Sequence, residues 1–178
     1  MWTRIVASAL LLLVAACATP APHGAPPPSP LTPSSIVFGT DMAWAQLTLA
    51  LNQRALQILS LVPDRAADAR LVSLAHDLTV SHTDENVRLT ALLSQIGAPA
   101  YNPHSGHDMP GMATAAQISS MSATRGDAFD KLFADSLRAH LTQCQNLAHS
   151  MRLSGKLPDA LALAATIESA RQQALTRL

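Results

Sequence analysis

The sequence predicts an all-α fold, an antiparallel four-helix bundle made of two repeated helical hairpins. Three observations carry that prediction. Apolar residues recur at three-and-four spacing through four long segments. Helix-stopping residues sit between those segments, at Pro63, at Gly97 with Pro99 just beyond, and at Gly155 with Pro158 following. The folded part is rich in Ala and Leu and poor in Gly, β-branched and aromatic residues, the last making up only 3% of the chain, which favours helix over sheet.

Ahead of the helices stand a leader and a tether. Arg4 is followed by an apolar run from Ile5 to Ala16 that closes on Val14-Ala15-Ala16-Cys17, the pattern of a charged region, a short hydrophobic region and small residues before a cysteine. That run is about 12 residues, whereas a bilayer-spanning helix takes roughly 20, so residues 1–17 are expected to be a signal peptide and not a permanent anchor. Val-Ala-Ala-Cys is similar to the lipobox of bacterial lipoproteins. The similarity implies that Cys17 is lipidated and begins the mature chain; the competing reading is an ordinary signal peptide with an incidental cysteine. Residues 18–35 hold seven prolines between Pro20 and Pro33 and no apolar periodicity, so they are expected to form an extended tether. Acyl chains plus tether hold a domain beside a lipid membrane without inserting it, which places the protein across the cytoplasmic membrane on the outer face of a bacterial membrane.

The domain itself is expected over residues 36–178, a usual size for one hydrophobic core. Helix one is predicted over 36–62, with Trp44, Leu47, Leu51, Ala55, Ile58 and Val62 on one face. Helix two is predicted from about 64 to 97, with Leu71, Ala75, Leu78, His82, Glu85, Leu89, Leu92 and Ile96 along its seam. Residues 98–113 are too rich in Gly and Pro to be regular and form a loop. Thr114, with Gln117 three residues on, is the signature of a capped short helical turn. Helix three is predicted over 127–153 with Phe129, Phe133, Leu137, His140, Cys144, Leu147 and Met151 inward. Helix four follows, with Pro158 in its first turn, to residue 178. Tight connections at Pro63 and Gly155 make each pair antiparallel, and the longer loop crosses between the hairpins. An offset of 89 superimposes them without a gap: Asp41-Met42-Ala43-Trp44-Ala45 falls on Asp130-Lys131-Leu132-Phe133-Ala134, Leu74-Ala75 on Leu163-Ala164, and His82 on Arg171.

Chemistry enters where polar residues occupy core positions. His82 and Glu85 are i and i+3 on one face, and His140 and Cys144 are i and i+4 on another; Arg171 joins them on helix four. Helix bundles build metal and ligand sites in this way, and imidazole, carboxylate and thiolate all ligate transition metals, thiolate and thioether favouring Cu(I). The alternative is structural: Glu85 pairs with Arg171, Cys144 packs as a small hydrophobe and His140 is a satisfied core histidine. A second cluster lies in the loop, where His104, His107, Met109 and Met112 read H-x2-H-x-M-x2-M, soft thioethers beside imidazoles on a segment able to wrap a copper ion. His23, His76, Met121 and His149 fall outside both clusters and are assigned to surface or packing.

With 12 basic and 12 acidic residues the formal net charge is zero, and no basic stripe suits nucleic acid. If Cys17 is acylated, Cys144 is the one free thiol and no intrachain disulfide can form. Di-iron oxidation of the ferritin type needs four to six inward carboxylates, while this chain has two glutamates, Glu85 and Glu168. No nucleophile elbow, phosphate-cradling glycine loop or zinc-protease helix is present, so an enzyme is not expected.

The stretch His107-Asp108-Met109-Pro110-Gly111-Met112, followed by Phe129-Asp130-Lys131-Leu132-Phe133 and the offset repeat, resembles the domain-of-unknown-function family 305 over about residues 38–178. These are ferritin-like helical proteins of the bacterial envelope often associated with copper. The resemblance implies a Met-Ile-x-His-His segment in each repeat and then a Glu-Met pair, yet here the second repeat has Leu137-Arg138-Ala139-His140-Leu141 and the first Thr48-Leu49-Ala50-Leu51-Asn52. The family's Gln-x-x-Glu element becomes His82-Thr83-Asp84-Glu85 in the first repeat and Arg171-Gln172-Gln173-Ala174 in the second. A copper site would therefore have to be rebuilt from His140, Cys144 and the loop, with His82 and Glu85 as further candidates. Two functions are expected to compete: a non-catalytic, membrane-anchored copper-binding lipoprotein, and a metal-free scaffold for another envelope protein.

Overall fold

The computed structural model describes residues 39–178. The expected signal peptide with Cys17, the tether of 18–35 and the start of the domain at 36 lie outside them. The described residues are all-α, with no strand among them: α1 (Gly39–Leu59), α2 (Val62–Arg65), α3 (Ala69–Gln95), α4 (Ala115–Ala123), α5 (Asp127–Ser154) and α6 (Pro158–Leu175). Pairing is most extensive between α1 and α3 and between α5 and α6, with α1 also packed on α5. Short connections at 60–68 and 155–157 turn each pair back on itself.

Two boundaries differ from expectation. Pro63 was expected to end helix one and lead straight into helix two. Instead α1 stops at Leu59, Pro63 sits at the start of the four-residue α2, and α3 begins only at Ala69. Pro lacks only an N–H that a first turn leaves free, so it starts a new turn as readily as it ends an old one. The real start signal is Asp68, whose side chain accepts from the Arg70 N–H at 2.8 Å. The capping box at α4 is formed as expected: Gln117 N–H donates to Thr114 Oγ1 at 3.2 Å, and Thr114 N–H to Gln117 Oε1 at 2.8 Å.

Two aspartates hold the short connections, each from the other hairpin. Asp41, fully buried, accepts from Leu157 N–H at 2.9 Å and Lys156 N–H at 3.1 Å at the start of α6. Asp130 accepts from Asp68 N–H at 2.9 Å and Ala67 N–H at 3.2 Å at the start of α3. Asp41 and Asp130 stand 89 positions apart, and so do Ala67 and Lys156, and Asp68 and Leu157. Both carboxylates receive otherwise unpaired helix-start N–H groups, where the helix dipole also favours negative charge.

Apolar packing forms two clusters. One gathers Ile58, Leu59, Val62, Leu71, Leu74, Leu78, Met121, Phe129, Phe133, Leu137 and Leu141. The other gathers Trp44, Ala45, Leu89, Leu92, Ala148, Met151, Ala160, Leu163 and Ile167. The gap between them falls at one level on every long helix. Charge-assisted hydrogen bonds contribute roughly 1.5–3 kcal/mol each. Asp41→Ala is therefore expected to lower the unfolding free energy by about 2 kcal/mol or more, and Asp130→Ala, at a half-buried position, by less. Urea denaturation followed by circular dichroism measures both, with exposed Asp135→Ala as a control close to wild type.

Candidate functional site

The level between the two apolar clusters is polar. α1 contributes Asn52, α3 His82 and Glu85, α5 His140 and Cys144, and α6 Arg171, all buried. Helical spacing places them there: each lies one to two turns from an apolar residue of either cluster, on the same inward stripe.

Arg171 and Glu85 form the centre. Arg171 Nη1 donates to Glu85 Oε1 at 3.0 Å and Nη2 to Oε2 at 2.5 Å, a two-pronged ion pair with a guanidinium that is fully buried. Asn52 Nδ2 donates to Glu85 Oε2 at 2.8 Å, its Oδ1 accepts from Arg171 Nη2 at 3.3 Å, and Ser81 Oγ donates to Glu85 Oε1 at 2.9 Å. Both carboxylate oxygens are thus occupied. Of the two readings open for Glu85, this geometry is that of an ion pair.

Beside the pair, His82 Nε2 and His140 Nε2 lie 2.9 Å apart, so one ring donates to the other. Cys144 Sγ lies 3.7 Å from His140 Nε2. Burial holds the pKa of His82 well below the ordinary imidazole value, with the Arg171 charge adding to the effect. The same holds for His140, through burial first and then His82 and Arg171, against a smaller opposing pull from Glu85. Burial raises the Cys144 thiol to about 11, Arg171 opposing. His82 Nδ1 has no hydrogen-bond partner of ordinary geometry, and the Leu78 backbone one turn back pulls the His82 pKa only weakly upward against burial. Among the described residues no group of three or more His, Cys, Asp or Glu side chains stands ready around a metal position.

The loop between α3 and α4 is fastened at both sides. Arg54 on α1 donates to Asp108 Oδ1 at 3.0 Å and to the Ala113 carbonyl at 2.7 Å. Asn102 Nδ2 donates to the Gln46 carbonyl at 2.8 Å. Gly111, at φ +83°, lies so close to α5 that a Cβ there would stand 2.5 Å from Gln143 Cβ and 3.2 Å from the Ala139 carbonyl. Fastened in this way, the loop and α1 enclose a cleft of about 160 Å³ lined by His104, His107 and Met112 from the loop and by Gln53, Arg54 and Gln57 from the helix. Met109 does not line it. A larger cleft of about 540 Å³, between Ala69, Arg70, Ser73, Thr176 and Arg177, holds no imidazole or sulfur donor.

Comparison with known proteins places this architecture. The model of the domain of unknown function DUF305 matches residues 41–178. The chain belongs to the DUF305 family. A DUF305 protein from Streptomyces coelicolor has 18% identity and a TM-score of 0.70, over 77% of this chain and 86% of that one. A DUF305 fragment from Deinococcus radiodurans has 20% identity and a TM-score of 0.68, over 77% and 91%. At these identities the likeness is one of fold. No curated protein matches the sequence.

The DUF305 fold therefore sorts the expected site residues into two places. His82, Glu85, His140 and Cys144 meet in the polar level, and His104, His107 and Met112 meet in the loop cleft. Asn52, Ser81, Asp41 and Arg54 were not singled out by sequence reasoning. Asn52 carried a signal, an amide on the inward stripe of α1 beside Leu51 and Ala55; Asp41 carried another, since the offset of 89 pairs it with Asp130.

Breaking a buried ion pair by removing one partner costs roughly 3–5 kcal/mol. Arg171→Met is expected to destabilise the domain by about that amount, and Arg171→Met with Glu85→Leu to recover part of it, as read by urea denaturation. Stability is also expected to depend on pH at both ends. Unfolding returns His82 and His140 to ordinary basicity, so the unfolded state binds more protons and stability falls as pH drops below about 6.5. Unfolding likewise frees Cys144 to ionise above 9.0, whereas the folded thiol waits until about 11, so stability falls again as pH rises through that window. Denaturation midpoints at pH 5, 7 and 10 check both, and a midpoint unchanged between pH 7 and 5 would contradict the histidine assignment.

Proposed function

We propose that this DUF305 protein is a non-catalytic lipoprotein of the bacterial envelope that holds or buffers copper at the outer face of a membrane, taking the ion at the cleft between loop and α1. The observation that carries the reading is that three soft or borderline donors, His104, His107 and Met112, line one cleft. Imidazole with thioether is a donor set that suits copper. Arg54 is the one cation in that wall, and Asp108 offsets it at 3.0 Å. The reading carries two further parts. Cys17 is acylated, a reading supported by the lipobox-like Val14-Ala15-Ala16-Cys17 that precedes the Pro-rich tether. The domain is a ferritin-like four-helix bundle of two related hairpins, which the reciprocal aspartate contacts support.

A metal-free scaffold for another envelope protein is the second reading. It is favoured by Glu85, whose oxygens are consumed by Arg171, Asn52 and Ser81.

Anaerobic Cu(I) titration of the purified protein decides between them. The copper reading expects one or two bound equivalents, of which one is lost when His104, His107, Met109 and Met112 are all changed to Ala. Equal stoichiometry with and without those substitutions removes the loop site. Labelled palmitate is expected to enter the protein in cells and to be absent from Cys17→Ser.

A further inference from the structure

We infer that the chain pairs with a second copy of itself through the exposed side shared by α1 and α3, each copy placing its Tyr101 ring in an apolar groove of the other. Four of the six large apolar side chains exposed among the described residues belong to that side: Val72, Val80 and Val87 on α3, the last two 61% and 66% exposed, and Tyr101, 69% exposed, just beyond the helix. The other two, Leu132 and Leu153, are on α5. Single apolar side chains in water are ordinary, whereas a gathered set marks an interaction surface.

The side carries a groove at each end. One of about 360 Å³ lies between the end of α1, α2 and the first half of α3, where Leu59, Val62, Pro63, Val72, Ala75 and Val80 line it. The other, of about 310 Å³, lies between α1 and the last turns of α3, lined by Leu49, Leu93, Ala98, Pro99 and Ala100. Tyr101 stands at the rim of this second groove, between Ala100 and Asn102, which both line it. No Asp, Glu, Lys or Arg lines either groove. The exposed charges of α3 are turned to α6 instead: Asp77 pairs with Arg177 at 2.8 Å, and Arg70 and Arg88 line the clefts between those two helices. The loop cleft lies elsewhere on α1, at Ala50, Arg54 and Gln57, so pairing leaves it open and does not depend on copper.

A two-fold axis fits this layout. In an isologous pair the same patch meets itself after half a turn, so a knob at one end must suit a hole at the other. Along α3 the grooves centre near His76 and near Leu93, roughly 25 Å apart at 1.5 Å per residue. An axis midway passes beside Thr83 and Val87 and sets the two α3 helices antiparallel, with Val80 of each copy near Val87 of the other. It also carries each Tyr101 to the other copy's groove at Val62, Pro63 and Val72. Tyrosine suits that place, since it buries a large apolar area and keeps its hydroxyl at the rim. The side runs about 33 Å from Val72 to Ser94 and is two helices, about 20 Å, wide. Each copy thus covers on the order of 650 Å², near the roughly 800 Å² per partner of a stable interface. An anionic membrane is a poorer occupant, because the grooves offer it no Lys or Arg.

The test uses the full chain carrying Cys17→Ser, which removes association through acyl chains, and reads its mass by sedimentation equilibrium. Expected is twice the mass of one chain. Val80→Glu with Val87→Glu is expected to raise the dissociation constant by roughly a hundredfold, by burying unpaired like charges, and Tyr101→Ala by roughly tenfold. Helical circular dichroism stays unchanged in both, since these side chains are exposed. In cells, Thr83→Cys is expected to cross-link the chain to itself through a short bis-maleimide, and Asp135→Cys on α5 is not; Cys144 is buried and gives no background. A chain that sediments as a monomer, an association untouched by the two glutamates, or a Thr83→Cys that links only to other proteins or to nothing would each overturn the inference. So would self-cross-linking through Asp135→Cys in place of Thr83→Cys.

Discussion

The arrangement of this domain turns on a buried arginine. Arg171 brings a permanent positive charge to a level with no access to water, and such a charge is tolerated only with a partner at hydrogen-bond distance. Glu85 supplies that partner from α3, Asn52 on α1 bridges the two, and Ser81 completes the carboxylate. Three of the long helices are thereby fixed in height relative to one another, which Ala- and Leu-rich seams alone would do poorly, because such seams slide with little penalty. The fourth, α5, meets the same level through His140 and Cys144, whose protonation is governed by the burial and charge of their neighbours.

Much of this was legible in the sequence. Helical periodicity located all four long helices, and the interruption of the apolar seams at His82, Glu85, His140, Cys144 and Arg171 marked the polar level residue by residue. Membership of the DUF305 family followed from the loop motif and the repeat. What periodicity could not give was partner choice. Glu85 is equally consistent with a ligand or an ion pair until the distance to Arg171 is known, and Asn52 has no meaning until α1 is docked beside both. The break at Pro63 was misread for a local reason: a proline that stops one helix and a proline that opens the next look alike in one dimension.

The loop illustrates a different limit. Its Gly and Pro content suggested a flexible segment able to wrap an ion, whereas Arg54, Asn102 and Gly111 tie it to α1 and α5. The Arg54 and Asn102 contacts join residues 54 to 59 positions apart in sequence, and nothing local announces them. A fastened loop presents its donors with less ordering entropy to lose on binding than a free one. Gly111 earns its place by sterics, since its backbone sits where any side chain would collide with α5.

The crossed aspartates bear on how the molecule is made. Synthesis proceeds from the N-terminus, so the turn at residues 67 and 68 emerges while Asp130, some 60 positions later, is still to come. Asp41 in turn waits for backbone N–H groups more than a hundred positions away. Neither half can finish its own corner. The corner contacts of each hairpin are therefore complete only when the other hairpin is present, which ties the two halves into one folding unit.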